Sequence, residues 1–155
     1  MIRVKAAARE NYQGFLELAR EVEPLFGPMA DESGFQEALK EALAGGAVFV
    51  AAGGDASAPL RGAVVIDRCA NCIAWLAVSR KHRGKGLGAM LLRHAIRSLD
   101  PERAIRVTTF AGRTGEAAPA RNLYESNGFV ETEPGGLNPA GIDTVVMEYK
   151  AGQRF

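Results

Sequence analysis

The sequence lacks an excess of charge of either sign: its 155 residues hold 19 Lys and Arg against 18 Asp and Glu, for a net charge of +1. This balance excludes a polyanionic tail and a nucleic-acid binder that works through bulk positive charge, so we expect no nucleic-acid partner. The length suits one domain with a sizeable core. We predict a single domain over residues 1–150, followed by a C-terminal tail at residues 151–155.

Long apolar runs are also missing. None approaches the roughly 20 residues that a helix needs to cross a bilayer, and the N-terminus lacks the apolar core of a signal peptide. We therefore expect a cytoplasmic protein with no membrane partner.

Cysteine is scarce, since the chain has only 2, which is too few for a disulfide framework. They form a C-x-x-C pair at Cys69 and Cys72. Zinc would need two further ligands, and His82 and His94 are not spaced as zinc ligands are. We expect no metal and two reduced thiols, while oxidation of the pair across a tight turn stays open.

The apolar periodicity predicts seven strands and four helices. The predicted strands span residues 2–6, 47–52, 62–67, 72–78, 105–110, 129–132 and 143–149. The predicted helices span residues 10–22, 33–44, 87–99 and 118–127, with the first ended by Pro24, Gly27 and Pro28. This order predicts an α+β domain (a three-layer α/β arrangement) in which helices flank a mixed, mostly antiparallel central sheet of about six to seven strands.

A glycine-rich basic loop separates the fourth predicted strand from the third predicted helix. Gly84, Gly86 and Gly88 alternate there with Arg83, Lys85 and Leu87. Glycine has no Cβ, so an anion can approach the backbone N–H groups closely, and the following helix N-terminus adds about half a positive charge. No carboxylate occurs between Asp67 and Asp100. These features predict a diphosphate-binding site.

Two common nucleotide-binding motifs fit this loop poorly. A P-loop requires Lys-Ser or Lys-Thr after its second glycine, and neither pair occurs here. The dinucleotide pattern G-x-G-x-x-[GA] matches at Gly84, Gly86 and Ala89, but it lies in mid-chain and has threonines where an acidic residue is expected. A dinucleotide-binding enzyme remains a distant alternative.

Two motifs resemble the GCN5-related N-acetyltransferase (GNAT) family. Arg83-x-x-Gly86-x-Gly88 is similar to the acetyl-CoA-binding motif of this family. The stretch 120–129, with the sequence ARNLYESNGF, resembles its downstream helix motif. The order of elements fits over nearly the whole chain, so the resemblance implies a GNAT-like fold.

The resemblance also implies roles for individual residues. The backbone of the strand before the loop would bind the pantetheine arm of acetyl-CoA, at Leu76, Ala77 and Val78. The amides of the loop would hold the pyrophosphate, at Arg83, Gly84, Lys85, Gly86, Leu87, Gly88 and Ala89. Tyr124 would be the general acid that protonates the CoA thiolate, since a phenol stays protonated at neutral pH. Asn122 is a further candidate for cofactor binding, and the family is often homodimeric.

The sequence departs from the family at two positions. Many members carry Asn seven residues before the tyrosine, where this chain has Ala117. Many also place a glutamate on the central strand as general base, whereas residues 72–76 contain no carboxylate. The general base is therefore unassigned.

The sequence contains less information about the acceptor site than about the cofactor site. Between Leu16 and Ala42, seven acidic residues outnumber two basic ones. Glu23, Asp31 and Glu32 are candidates for recruiting a cationic amine, although solvated helix faces explain them equally well. Trp75 would line this site or fill the core, and the loop at residues 137–142 would form a rim.

These observations predict an acetyl-CoA-dependent N-acetyltransferase, an acyltransferase that passes an acetyl group directly to a primary amine. Acetyl-CoA would be the cosubstrate, and the acceptor would be a small molecule or a peptide. The alternative is a non-catalytic acyl-CoA-binding sensor or assembly module on the same fold.

Overall fold

The computed structural model describes residues 3–52 and 59–150. The predicted tail at residues 151–155 and most of the predicted loop at residues 53–59 lie outside these ranges.

The described residues form one seven-stranded sheet with four α-helices. The strands are β1 (Arg3–Ala6), β2 (Val48–Ala52), β3 (Gly62–Asp67), β4 (Cys72–Val78), β5 (Ile105–Phe110), β6 (Val130–Leu137) and β7 (Asp143–Tyr149). The helices are α1 (Tyr12–Phe26), α2 (Ser33–Ala44), α3 (Leu87–Arg97) and α4 (Ala118–Ser126), with 3-10 turns at Arg9–Asn11, Arg80–His82 and Gly115–Ala117.

The strand order is β1-β2-β3-β4-β5-β7-β6. β4 and β5 pair in parallel through the α3 crossover, and the other neighbours pair antiparallel. The predicted mixed, mostly antiparallel sheet is therefore confirmed.

The helices cover both faces of the sheet, because each has a continuous apolar stripe. On one face α3 buries Leu91 and Leu92 against strand residues such as Val64 and Met147. On the other face α1 buries Phe15 and several neighbours against Val50 and other residues of β2 and β3. The result is the predicted three-layer arrangement.

β4 contains a β-bulge at Ala74. Val65 of β3 pairs with Trp75, whereas the next residue of β3, Ile66, pairs with Ile73. The pairing of β4 with β5 ends at the same place, since its last pair is Ile73 with Val107. A bulge bends its strand, and beyond Ala74 the two parallel strands separate and open a cleft between them.

The first helix extends further than predicted. α1 continues through Pro24 to Phe26. Pro24 lies in the last turn, where it removes a single backbone hydrogen bond, and Leu25 and Phe26 gain partial burial in return. The helix ends at Gly27, whose φ of 101° favours glycine and whose N–H donates to the carbonyl oxygen of Glu23.

The sixth strand also differs from the prediction. β6 runs to Leu137, through residues predicted as a Pro/Gly-rich loop, with register shifts near Thr132 and Gly135. Because β6 is an edge strand, Pro134 fits without breaking a hydrogen bond to a second neighbour.

The β3–β4 hairpin forms as predicted, with Asn71 at φ 55° in its turn. The side chain of Asn71 binds the backbone of the segment before β5, at Asp100, Arg103 and Ala104. Cys69 and Cys72 are free thiols, and burial raises the pKa of Cys72.

Candidate active site

A cavity of about 410 Å³ fills the cleft between the separated strands β4 and β5. One end is formed by the glycine loop, the start of α3 and the facing side of α4. The other end is formed by the last turn of α1, the end of β5 and the loop after β6. One continuous cavity therefore contains the predicted cofactor loop at one end, the cofactor end, and a second chamber lined by Trp75, Phe26 and Phe110 at the other.

The glycine loop has the geometry of an anion cradle. Gly86 caps the N-terminus of α3 with φ 82°, and Gly84 has φ 77°. A Cβ on either glycine would meet no atom within 4 Å, so the space beside both backbones is open. Gly88 instead lies against Leu123 of α4, where a Cβ would come within 3.3 Å of the leucine side chain. The loop thus offers an open backbone with N–H groups at a helix N-terminus, as an anion-binding site requires.

Most of the predicted cofactor residues line this cavity. They are Leu76, Ala77, Val78, Arg83, Gly84, Gly86, Leu87, Gly88 and Ala89. Lys85 is exposed and lies outside the lining. Asn122 is exposed on α4 and also lies outside it, because a residue two positions before Tyr124 faces another side of the helix.

Arg83 is held on both sides of its guanidinium. Its Nε donates to the carbonyl oxygen of Val78 at 3.1 Å. Its Nη1 lies 3.6 Å from Oε2 of Glu116, in the turn before α4. Sequence reasoning missed Glu116, the residue before Ala117, because the motifs that point to the site do not include it.

Beyond the bulge, β4 presents its backbone to the cavity. Leu76, Ala77 and Val78 pair with β3 on one side but have no β5 partner on the other. This edge of β4 can therefore hydrogen-bond an extended ligand, as an added strand would.

Tyr124 lies in the wall of the cavity, 4% exposed. Its ring packs edge-to-face on Phe129, with centroids 5.4 Å apart. Its hydroxyl makes no hydrogen bond with the described residues, and burial raises the pKa of the phenol above its ordinary value of 10.0. The phenol thus keeps its proton at neutral pH.

A buried arginine that the sequence analysis missed fixes the same helix. Arg121 is 1% exposed, and its guanidinium donates to the carbonyl oxygen of Ala111 and to the carboxylates of Glu125 and Glu131. Glu125 also accepts a bidentate pair from Arg113. This network ties α4 to the segment after β5 and to β6. Because arginines are rarely fully buried, residue type alone gave no signal for it.

Aromatic side chains form the second chamber. Trp75, whose position the sequence left open, lines the cavity together with Phe26 and Phe110. The indole Nε1 is buried and has no hydrogen-bond partner among residues 3–52 and 59–150. Asn138, in the predicted rim loop, completes this end.

The predicted acidic residues lie outside the cavity lining and have other partners. Glu23 accepts hydrogen bonds from the backbone N–H groups of Met29 and Ala30, both at 2.9 Å, and these bonds lower the pKa of its carboxyl. Asp31 forms an exposed ion pair with Arg20 at 3.0 Å. Glu32 is exposed at the N-terminus of α2. The structure does not bring these three residues to the chamber that Trp75 lines.

The two histidines have different surroundings. His82 lines the cavity, and its Nδ1 is buried without a partner in the described part of the chain. Burial, with the neighbouring cations Arg61, Lys85 and Lys81, lowers the pKa of His82 against the opposing effect of Glu21. His94 packs on the ring of Phe49 and lies outside the lining.

Within the described ranges, no cluster of three or more His, Cys, Asp or Glu side chains has the arrangement of a metal site. Among the same residues, no helix has the length and apolar character of a membrane span.

The sheet splits beside the glycine loop, and Tyr124 lies in the cleft that the split opens. Residues 44–131 match the family model described as "Acetyltransferase (GNAT) domain". The chain belongs to the GNAT family, as its two motifs indicated.

Solved structures share the fold over nearly the whole chain at low identity. A GNAT-family acetyltransferase from Bacillus cereus is 15% identical, with a TM-score of 0.73 and 97% of each chain covered. The NatC complex bound to Gag peptide and CoA contains a chain 22% identical, with a TM-score of 0.74, covering 96% of this chain and 98% of that one. The PaiA N-acetyltransferase of Thermoplasma acidophilum, in complex with coenzyme A, is 16% identical, with a TM-score of 0.71 and coverages of 97% and 99%. No curated protein matches the sequence significantly.

Proposed function

We propose that the protein is an acetyl-CoA-dependent N-acetyltransferase that passes the acetyl group directly to a primary amine. One observation carries this proposal: a single cavity is lined by the glycine loop, the unpaired edge of β4 and the side chain of Tyr124. The two similar structures that contain coenzyme A support the choice of cosubstrate. Bound acetyl-CoA would supply an activated thioester.

The cofactor end of the cavity binds and orients acetyl-CoA. The N–H groups at the start of α3 and the guanidinium of Arg83 hold the diphosphate, because both offer positive charge beside an open backbone. The free edge of β4 from Leu76 to Val78 aligns the pantetheine arm. A backbone N–H near Val78 polarises the thioester carbonyl, as in an oxyanion hole.

Tyr124 acts as the general acid. Its buried phenol stays protonated at neutral pH, and its hydroxyl has no competing partner among the described residues. It donates that proton to the departing sulfur, so that coenzyme A leaves as a thiol. The Arg121 network keeps the helix that carries Tyr124 in place.

The test measures thiol release from acetyl-CoA over a panel of primary amines, with acetyl-CoA binding measured by calorimetry. For Tyr124→Phe we expect kcat to fall by about 100-fold or more, the usual contribution of a general acid, with acetyl-CoA affinity within about twofold of the wild-type value. Tyr149→Phe is the matched control, since Tyr149 is a buried tyrosine outside the cavity lining.

Two results would contradict the proposal at different levels. An unchanged kcat for Tyr124→Phe would remove the tyrosine from the mechanism and leave the transfer reaction intact. Acetyl-CoA binding without thiol release for any amine would favour the alternative, a non-catalytic acyl-CoA-binding module.

A further inference from the structure

We propose that the acceptor is a primary amine attached to an aromatic or branched aliphatic group, with no second positive charge. This inference rests on the proposed function and names the substrate class of the same site. Its basis is the aromatic wall of the chamber that adjoins the cofactor end of the cavity.

Three aromatic rings from three elements build this wall. Phe26 of α1 packs edge-to-face on Trp75 of β4, with ring centroids 5.7 Å apart and an interplanar angle of 68°. The same ring packs edge-to-face on Phe110 of β5, at 5.8 Å and 71°. Phe26 thus spans the gap between the two strands that separate at the bulge. A further aromatic or bulky apolar group would find the same edge and face contacts there.

The wall is fixed by contacts between α1 and the loop after β6. Asn138 donates from Nδ2 to the carbonyl oxygen of Leu25 at 2.8 Å and accepts two backbone N–H groups at its Oδ1, which orders the loop after β6. Gly27 lets this loop approach, because a Cβ there would come within 2.4 Å of Pro139. These contacts hold α1 against the loop after β6. Phe26 therefore has a fixed position, as a residue of a binding site requires.

The charges in the cavity disfavour a polyamine. Among the described residues that line it, Glu116 is the only carboxylate, and it pairs with Arg83 at the cofactor end. Glu23 and Asp31 are engaged outside the lining. A second ammonium group beside the aromatic wall would meet no carboxylate other than that of Glu116 among the described lining residues, and burying a charge without an anionic partner is strongly unfavourable.

An apolar chamber also promotes the reaction of a single amine. Desolvation favours the neutral form of an ammonium group, so the acceptor would lose its proton to water on entry. The neutral nitrogen then forms the new N–C bond, the C–S bond breaks, and the sulfur takes the proton of Tyr124. The proton that the nitrogen gives up on becoming an amide passes to solvent water, and water returns a proton to the Tyr124 phenolate. This sequence explains how the chain manages without a carboxylate on β4.

Trp75 supplies the binding test, because it is the single tryptophan of the chain. With the full chain saturated with coenzyme A, 2-phenylethylamine and L-phenylalaninamide are titrated with excitation at 295 nm, where neither absorbs. We expect saturable changes in tryptophan emission for at least one of the two and none for spermidine. A preference between them distinguishes a small amine from the N-terminus of a peptide.

Steady-state rates with acetyl-CoA give the second readout. We expect kcat/KM for the better aromatic amine to exceed that for spermidine and for ethanolamine by at least tenfold. Phe26→Ala should lower the value for the aromatic amine at least tenfold and leave the KM for acetyl-CoA within twofold. Phe26→Leu serves if the alanine variant does not fold, with a smaller loss expected.

Phe35→Ala is the matched control, because Phe35 is a partly buried aromatic residue outside the lining. Higher kcat/KM for spermidine than for both aromatic amines would overturn the inference and leave the proposed function standing. Saturable binding of an aromatic amine without thiol release for any amine would support the ligand class and refute the transfer reaction.

Discussion

Arg83 and Glu116 face each other in the cavity, with a guanidinium nitrogen 3.6 Å from a carboxylate oxygen. Arg83 comes from the loop after β4, and Glu116 comes from the turn before α4. The pair neutralises the one side chain in the lining that would attract a diphosphate most strongly. Binding of the cofactor must therefore compete with an internal anion.

Replacing Glu116 with Gln should strengthen acetyl-CoA binding about two- to fivefold, because partly exposed ion pairs contribute up to about 1 kcal/mol. Isothermal titration at low and at high salt measures the effect, which should shrink as salt screens the carboxylate. Glu102→Gln is the control, since Glu102 is exposed after α3 and lies outside the lining. Equal affinities of the two variants for acetyl-CoA would show that the Glu116 carboxylate does not compete with the cofactor for Arg83.

Replacing Gly86 with Ala should lower the free energy of unfolding by roughly 1–2 kcal/mol, because φ 82° is unfavourable for a residue with a Cβ. The variant should also lose acetyl-CoA affinity, since the Cβ enters the open space beside the loop. Gly34→Ala is the control, because Gly34 lies within α2 with no atom within 4 Å of a Cβ. Urea unfolding should show Gly34→Ala at or above wild-type stability.

Replacing Arg121 with Met should destabilise the fold by about 2 kcal/mol, because it removes charged hydrogen bonds from a buried position while keeping the apolar stem. We also expect kcat to fall, since α4 carries Tyr124. Arg113→Met removes the exposed partner of the same Glu125 and should have a far smaller effect on both quantities. Chemical unfolding and thiol release measure them, and equal effects of the two variants would disprove the structural role of Arg121.

Glu23 should stabilise the fold in a pH-dependent way. The N–H groups of Met29 and Ala30 lower the pKa of its carboxyl from the ordinary 4.5, so the folded state favours the ionised form. The stabilisation is present above pH 4.5 and is lost as the pH falls through the lowered pKa. Wild type should thus be more stable than Glu23→Gln at pH 7, and the two should converge in acid. A difference independent of pH would refute this origin.

The sequence predicted most of the elements because their signals are local. β3, β4 and β5 have the predicted bounds, and α2 spans the predicted residues 33–44. The glycine loop was predicted from its residue types alone and from their spacing between a strand and a helix. Tyr124 was found through a motif, and the structure places it beside that loop.

The remaining features depend on contacts distant in sequence. The continuation of α1 past Pro24 is supported by the packing of Phe26 against residues of β4 and β5. The extent of β6 depends on β7, which pairs with it across two irregularities. The burial of Arg121 depends on two acidic partners, one of them ten residues away. Local periodicity contains none of this information.

The extra residue Ala74 changes the face of the sheet on which Trp75 lies. With regular alternation, Ile73 and Trp75 would share a face, but the extra residue at Ala74 places them on opposite faces. Deleting Ala74 would keep every pairing of β4 with β3 and restore a regular ladder. We expect the straightened β4 to continue pairing with β5 past Ile73, where the observed pairing ends. One inserted residue would therefore decide whether the sheet holds an open cleft or a closed one with no space for a ligand.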